Sequence, residues 1–138
     1  EFAKLIGESE ELEPEKLHIL RTAAIVHDIG IKISEKKYGS SGGKYQEKEG
    51  PAVADPMLRA LGYDEAVIDR VLFLIAHHHT YAGIEGEDYQ ILVEADFLVN
   101  LFEDGSSRET AEKVRENIFK TKTGMKYLET LFLTERRS

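Results

Sequence analysis

The sequence has no cysteine among its 138 residues. Disulfide bonds and thiolate metal sites are therefore excluded, and any metal ion must be held by histidine and carboxylate side chains. No apolar run approaches the ~18 residues of a bilayer-spanning helix, so we expect no membrane association. No signal peptide is visible, which makes the cytoplasm the expected location. The chain begins Glu-Phe-Ala-Lys without methionine, and we expect a domain that is incomplete at its N-terminus.

Positive charge is also scarce, because the chain has 18 Lys and Arg residues and 26 Asp and Glu residues, which gives a net charge of -8 at pH 7. This balance excludes sequence-independent nucleic-acid binding, which needs a basic face to displace counterions. An acidic chain that handles an anionic substrate must neutralise it locally, and a bound metal ion is one way. The length favours a single domain over residues 1–138, and 41% hydrophobic with 32% charged residues is typical of a globular protein.

Apolar residues recur at helical spacing along most of the chain, and strand-like alternation is never sustained. We therefore predict an all-α bundle of about six or seven helices. Residues 31–49 are predicted as a mobile loop, because the run from Gly39 to Gly43 consists of glycine and serine. Residues 1–8 are predicted to be the last turns of a helix. The helices predicted after them run from Pro14 to Gly30, Gly50 to Gly62, Asp64 to His79, Asp88 to Gly105, Ser106 to about Phe119, and Met125 to Leu133.

Several of these boundaries rest on capping residues. Gly30 is predicted to stop its helix, and Asp64 and Asp88 are predicted to cap the starts of theirs. Ser106 and Glu109 stand three residues apart and match a capping box.

An imidazole and a carboxylate stand side by side where the apolar helix before Gly30 ends, as His27-Asp28. Side chains at a helix end can converge on one ion, and a buried charge is costly unless it is paired or bound to metal. The alternative is a capping aspartate with an incidental histidine. An aspartate in the last turn opposes the helix dipole, so that alternative explains Asp28 poorly.

Asp96 lies in the apolar segment Ile91 to Val99, which is predicted to be buried on most faces. A carboxylate there needs a cation or several hydrogen-bond donors. Asn100 lies one helical turn further and is the alternative, purely structural partner.

Three consecutive histidines end the helix that starts near Asp64. Their spacing places His78 and His79 on the apolar face of that helix and His77 towards solvent. Imidazole is the commonest metal ligand, and three histidines after a buried face exceed what core packing needs. His18 lies ~13 Å from His27 along the same helix and is assigned to the surface.

Together these residues indicate a divalent ion held by nitrogen and oxygen ligands from separate helices. Such an ion generates hydroxide and screens the charge of a phosphoryl group. Lys32, Lys36 and Lys44 follow closely and are candidates for contacts with phosphate oxygens; the alternative is that they are solvated loop lysines.

At these positions the chain resembles the HD-domain metal-dependent phosphohydrolase superfamily, and the core motifs lie within residues 15–103. Further helices are predicted at residues 106–133. The matching segments are Ala-Ala-Ile-Val-His27-Asp28-Ile-Gly, Glu49-Gly-Pro, Ile75-Ala-His-His-His-Thr80 and Glu94-Ala-Asp96-Phe. The resemblance implies an all-α bundle that hydrolyses phosphate esters, often of nucleotides, with one or two ions of manganese, iron, nickel, cobalt or magnesium.

The resemblance also implies site roles. His27, Asp28 and Asp96 would be metal ligands, and Glu49 would be a further ligand where two-metal members have histidine. His78 and His79 would serve the second ion or the substrate phosphate. The family's first ligand histidine lies on the preceding helix, and residues 1–8 contain none.

The leading hypothesis is a phosphohydrolase of a small phosphorylated metabolite or nucleotide. In it Asp28 orients water or takes its proton, while His78, His79, Lys32 and Lys44 contact the phosphate. One alternative is a degenerate module that binds a nucleotide for regulation or scaffolding. Another is a bundle whose His and Asp residues are structural. A homodimer is compatible with the sequence.

Overall fold

The structure is a computed structural model that describes residues 1–133. It consists of helices and the segments that connect them. No strand occurs among these residues, so the all-α prediction is confirmed, with eight α-helices where six or seven were expected. They are α1 (Phe2–Ser9), α2 (Pro14–Val26), α3 (Ile31–Tyr38), α4 (Gly43–Ala60), α5 (Glu65–His77), α6 (Glu87–Glu103), α7 (Arg108–Asn117) and α8 (Lys122–Leu128), followed by a π-helix at Glu129–Leu133.

Helix α6 lies at the centre of the bundle, as its apolar sequence predicted. It packs against α1, α2 and α8, while α5 packs against α2 and α4. Ile91, Leu92 and Val93 are almost completely buried on consecutive positions, which only a helix surrounded by others permits. A charged residue in the middle of α6, such as Glu94, is therefore held away from water by its neighbours.

The prediction of a mobile loop over residues 31–49 is wrong. Helix α3 follows Gly30 directly, and α4 begins at Gly43, so only residues 39–42 connect the two helices. Helix α3 buries Ser34 and ends at Gly39, whose φ of 68° is the left-handed conformation of a helix C-terminus. The glycines and serines mark the short connection, and the lysine- and glutamate-containing segment before them is a helix.

Helix α4 also runs through Gly50 and Pro51, where a helix start was predicted. The proline costs one backbone hydrogen bond in the middle of the helix. Gly50 lies against α5, because a Cβ atom placed on it would be 2.6 Å from Ile75 Cγ2. Packing against α5 therefore holds α4 continuous across the proline.

The prediction that Gly30 stops its helix is wrong, because α2 ends at Val26 and Gly30 is the N-cap of α3. The φ of Gly30 is -82°, so no left-handed conformation is required. A Cβ atom on Gly30 would instead lie 2.8 Å from the backbone nitrogen of Gly50. Two glycines thus let the turn after α2 approach the backbone of α4, and this contact positions His27 and Asp28.

Two predicted caps are displaced. The N-cap of α7 is Ser107 rather than Ser106, and its hydroxyl accepts a hydrogen bond from the backbone N–H of Thr110. The N-cap of α6 is Gly86, while Asp88 lies in the first turn and pairs with Arg70 at 2.7 Å. Asp64 is the N-cap of α5, as predicted.

Among the described residues, no helix combines the length and the apolar character needed to cross a membrane.

Candidate metal centre

The turn that follows α2 supplies the first two groups of the site. Helix α2 ends at Val26, and the His27 ring folds back so that Nδ1 lies 2.9 Å from the carbonyl oxygen of Ala24. The last carbonyls of a helix have no partner within it, so this hydrogen bond is available only at a helix end. His27 is mostly buried, with a side chain that is 16% exposed, and the Asp28 side chain beside it is half-exposed.

The third group comes from α6. The Asp96 side chain is 10% exposed, and its Oδ1 lies 3.2 Å from His27 Nε2. Asp28 Oδ1 lies 3.3 Å from the same nitrogen. His27, Asp28 and Asp96 each offer one ligand atom, and these atoms lie within 4.8 Å of one another. Asp96 thus faces His27, and the structural alternative partner, Asn100, is exposed.

This arrangement requires a cation. Because His27 Nδ1 donates its proton to a carbonyl, the neutral ring presents a lone pair at Nε2. That lone pair would face the carboxylates of Asp28 and Asp96, which are also acceptors. Either a proton on Nε2 or a metal ion relieves the repulsion, and one imidazole with two carboxylates suits a hard or borderline divalent ion.

The titration of these groups reflects the same geometry. Burial lowers the pKa of His27, but the hydrogen bond to Asp96 and the charges of Asp28 and Asp96 outweigh it and leave the pKa raised. Burial raises the pKa of Asp96, and the hydrogen bond and charge of His27 outweigh that effect, so the Asp96 pKa is lowered. A proton on His27 and a negative Asp96 stabilise each other in the absence of metal.

His78 lies directly behind this group. Its ring stands edge-on to the His27 ring, with centroids 5.3 Å apart, and it is completely buried. Its Nδ1 donates to the carbonyl oxygen of Ile75, and its Nε2 has no hydrogen-bond partner among the described residues. Burial and the neighbouring charge of His79 lower the pKa of His78 to about 4. His78 is therefore neutral at pH 7 and keeps an unused lone pair.

His79 is partly buried and belongs to a polar cluster with α4. Its Nε2 lies 3.2 Å from Gln46 Oε1, its backbone N–H donates to Glu47 Oε2, and its Nδ1 lies 3.4 Å from the hydroxyl of Tyr81. His77 was predicted to face solvent, and it is partly buried. Its ring stacks on Phe73, and its Nδ1 donates to the Phe73 carbonyl.

The remaining predicted site residues lie outside the three-residue group. Glu49 is buried and accepts hydrogen bonds from the hydroxyl of Tyr38 at 2.7 Å and from Lys37 Nζ at 3.2 Å. Those two bonds lower its pKa. Lys32 and Lys44 are exposed on α3 and α4. The roles proposed for these three residues stay predictions.

His18 is exposed, as predicted, and stacks on Tyr63 far from the metal centre.

Sequence reasoning missed Gln46, Glu47 and Tyr81. Glu47 accepts hydrogen bonds from His79 N and Thr80 Oγ1, so it fixes the turn after α5. Gln46 and Glu47 fall within residues 31–49, where the run of glycine and serine predicts a loop. The signal was the three- and four-residue spacing of Gly43, Gln46, Glu47 and Gly50, which marks one face of a helix.

A cavity of about 140 Å³ opens beside the three-residue group. It lies between α1, α2 and α6, and its wall includes Phe2, Ala24 and Val99 together with the three candidate ligands. The carboxylates are thus reachable from outside through a small space.

Comparison with known proteins agrees with the geometry. A family model described as HD domain matches residues 1–122, which include all three groups of the metal centre and every helix up to the start of α8. Neither the curated proteins nor the solved structures contain a match to this chain.

Proposed function

Because the chain belongs to the HD domain family, we propose that it is a metal-dependent phosphohydrolase acting on a small phosphorylated metabolite or a nucleotide. The observation that carries the proposal is the convergence of His27 Nε2 with the carboxylate oxygens of Asp28 and Asp96. Three acceptors that face one another form a site for a cation, and an acidic chain needs such a cation to receive a phosphate. The predicted cytoplasmic location and homodimer are compatible with this activity.

His27, Asp28 and Asp96 would hold the ion, which we expect to be manganese, iron, nickel, cobalt or magnesium. When bound, a divalent ion lowers the pKa of water and screens the negative charge of a phosphoryl group. Glu49 would serve a second ion if one is bound. Its present partners, Lys37 and Tyr38, would then have to release it.

The protein's own groups have separate tasks in this proposal. Asp28 is the more exposed of the two carboxylates, and it would orient the attacking water and accept its proton. His78, neutral and with a free Nε2, would accept a hydrogen bond at the inner side of the site. His79, Lys32 and Lys44 would contact phosphate oxygens at its rim.

The test is hydrolysis of a panel of nucleotides and sugar phosphates by manganese-loaded protein. We expect phosphate release that falls at least a hundredfold in Asp96→Asn, because the site loses a charged ligand. Asp104→Asn is the matched control, since Asp104 is an exposed aspartate that caps the C-terminal end of the same helix. Absence of turnover on every substrate, with metal bound, would overturn the proposal.

A second candidate is a nucleotide-binding module without catalysis. It is favoured by Glu49, whose carboxylate is already engaged by Lys37 and Tyr38 and lies outside the three-residue group. Calorimetric titration separates the two candidates: binding of a nucleotide that is recovered unchanged supports the module, whereas hydrolysis that Asp96→Asn abolishes excludes it.

A further inference from the structure

An apolar groove of about 500 Å³ runs between α2 and α4 on the surface of the bundle. We call it the α2–α4 groove, and its wall includes Ile25, Val26, Ile29, Met57, Leu61 and Tyr63. Ile25 is 82% exposed and Leu61 is 68% exposed, so both ridges of the groove carry aliphatic side chains in water. Single exposed aliphatic residues are ordinary, but two that flank one groove indicate a binding surface.

Thr22, Asp28 and Tyr63 are the polar residues in the described part of the wall. The hydroxyl of Thr22 donates to the carbonyl oxygen of His18. Tyr63 stacks one face of its ring on His18, at a centroid distance of 5.6 Å. Within residues 1–133, Asp28 is the charged residue of the wall. The aliphatic part of the wall, formed by Ile25, Val26, Ile29, Met57 and Leu61, offers methyl and methylene groups.

Asp28 joins the groove to the metal centre. The same residue lines the groove and stands with its Oδ1 3.3 Å from His27 Nε2. From Thr22 to Val26 the groove follows α2 for about 6 Å, at 1.5 Å per residue. Because Asp28 lines both the groove and the cavity beside the three candidate ligands, a molecule that binds there by its phosphate and extends past Asp28 would meet the apolar wall of the groove.

Resting on the function proposed above, we propose that the α2–α4 groove binds the aliphatic part of the substrate, so that the substrate is a phosphate monoester of an alkyl or similar hydrocarbon chain. Hydrolysis breaks the ester bond between phosphorus and oxygen. Water supplies the oxygen to phosphate and a proton to the departing alcohol, and no further reactant is needed.

The residues that line the groove favour a hydrocarbon chain over a nucleobase. A base carries donors and acceptors along its edge, and burying them without partners costs free energy. The aliphatic stretch formed by Ile25, Met57 and Leu61 supplies none, whereas each methylene of a chain gains from leaving water. The volume lies within the roughly 300–1,000 Å³ of small-molecule sites.

The first experiment measures hydrolysis of ethyl, butyl, hexyl and octyl phosphate by manganese-loaded protein. We expect kcat/KM to rise up to about fourfold for each added methylene, through a falling KM, because burial of a methylene is worth that factor. Leu61→Gln and Ile25→Gln should flatten this dependence. Phe102→Gln is the matched control, since Phe102 is 74% exposed on α6 and lies outside the groove.

The second experiment is independent of catalysis. Octylphosphonate, which cannot be hydrolysed, is titrated calorimetrically into the manganese-loaded protein and into the same variants. We expect binding at least tenfold weaker in Leu61→Gln than in the wild type, and wild-type affinity in Phe102→Gln. Binding that is equal in all three proteins would overturn the proposal.

The outcomes also separate this proposal from the function on which it rests. Hydrolysis of nucleotides without any effect of chain length refutes the hydrocarbon substrate and leaves the phosphohydrolase standing. Binding of octylphosphonate that depends on Leu61, without hydrolysis of any ester, supports the groove and refutes the hydrolase. A change of oligomeric state in Leu61→Gln during sedimentation, with octylphosphonate binding unchanged, assigns the groove to a second copy and refutes the proposal.

Discussion

His27 and His78 make the same backbone hydrogen bond, and their pKa values move in opposite directions. In each ring Nδ1 donates to a carbonyl three residues earlier, so in the neutral form the lone pair of each is at Nε2. Two carboxylates face the Nε2 of His27 and raise its pKa despite burial, whereas burial lowers the pKa of His78 to about 4. The surroundings of one nitrogen thus decide whether each histidine attracts a proton.

His78 should make the metal-free protein sensitive to acid. The unfolded chain binds a proton at His78 near pH 6.5, whereas the folded chain resists it until about pH 4. Between those values, stability therefore falls as the pH falls, by about 3 kcal/mol in total. His78→Leu removes this loss, and His27 remains in both proteins. Urea unfolding in chelator across this pH range measures the effect.

His18→Leu is the control for that measurement, because it removes an exposed histidine that lies outside the metal centre. An identical slope in His78→Leu and in the wild type would contradict the prediction.

Gly30 is a second residue whose role is local and testable. Gly30→Ala should lower the free energy of unfolding by about 1–3 kcal/mol, because its Cβ atom would press on the backbone of Gly50, which cannot move like a side chain. The same displacement should weaken manganese binding, since His27 and Asp28 precede Gly30 in one turn. Chemical denaturation and metal titration provide the two measurements.

Gly42→Ala is the matched substitution. Gly42 has a φ of -55°, and its Cβ atom would meet nothing closer than Ser40 Oγ at 3.5 Å. If Gly42→Ala destabilises the protein as much as Gly30→Ala, the close approach of Gly30 to α4 is not the cause.

At the scale of elements, a buried carboxylate joins α6 to α8. Glu94 is completely buried, and its two oxygens accept hydrogen bonds from Gln90 Nε2, from the backbone N–H groups of Lys120 and Thr121, and from the Thr121 hydroxyl. The donors of Lys120 and Thr121 lie at and just before the N-terminus of α8, where backbone N–H groups lack helical partners and favour negative charge. Glu94 therefore fixes the C-terminal helices on the central one.

Glu94→Gln should cost about 2–4 kcal/mol of stability, because the amide presents a donor to groups that are themselves donors. Hydrogen exchange should increase first in α8. Glu103→Gln provides the comparison on the same helix, where the side chain is exposed. Unchanged protection of the α8 amides in Glu94→Gln would show that another contact anchors this helix.

The elements also show what the sequence could reveal. Helices α5 and α6 are long and strongly periodic, and their apolar faces were predicted together with the buried position of Asp96. Helix α3 and the first turns of α4 were missed, because glycine, serine and Pro51 suggest breaks when considered locally. Packing of Gly50 on Ile75 overrides the proline, and such a contact between distant residues leaves no local pattern.

The candidate site also contains residues that the sequence could reveal and contacts that it could not. His27, Asp28 and Asp96 were predictable because charges in apolar helices require partners, and the structure brings them together. The contacts of Gln46 and Glu47 with His79 were not predictable, because they depend on how α4 lies against α5.

At the scale of the whole molecule, the candidate metal centre depends on complete folding. His27 and Asp96 are 69 residues apart in sequence and belong to different helices, so the unfolded chain does not contain the site. A ligand that binds only the folded state stabilises it, by about 2.7 kcal/mol at a hundredfold excess over Kd. The ion and the helical bundle should therefore stabilise each other.

We accordingly expect manganese to raise the unfolding midpoint of the wild-type protein and chelator to reverse the rise. Asp96→Asn should abolish most of the shift, because a neutral amide replaces the carboxylate that faces both His27 and the ion. Asp104→Asn, on the same helix and exposed, should keep the full shift. A shift of equal size in Asp96→Asn would show that the metal binds elsewhere, because this variant lacks the charge of Asp96. Calorimetric scans at matched free manganese concentrations decide between these outcomes without requiring a substrate.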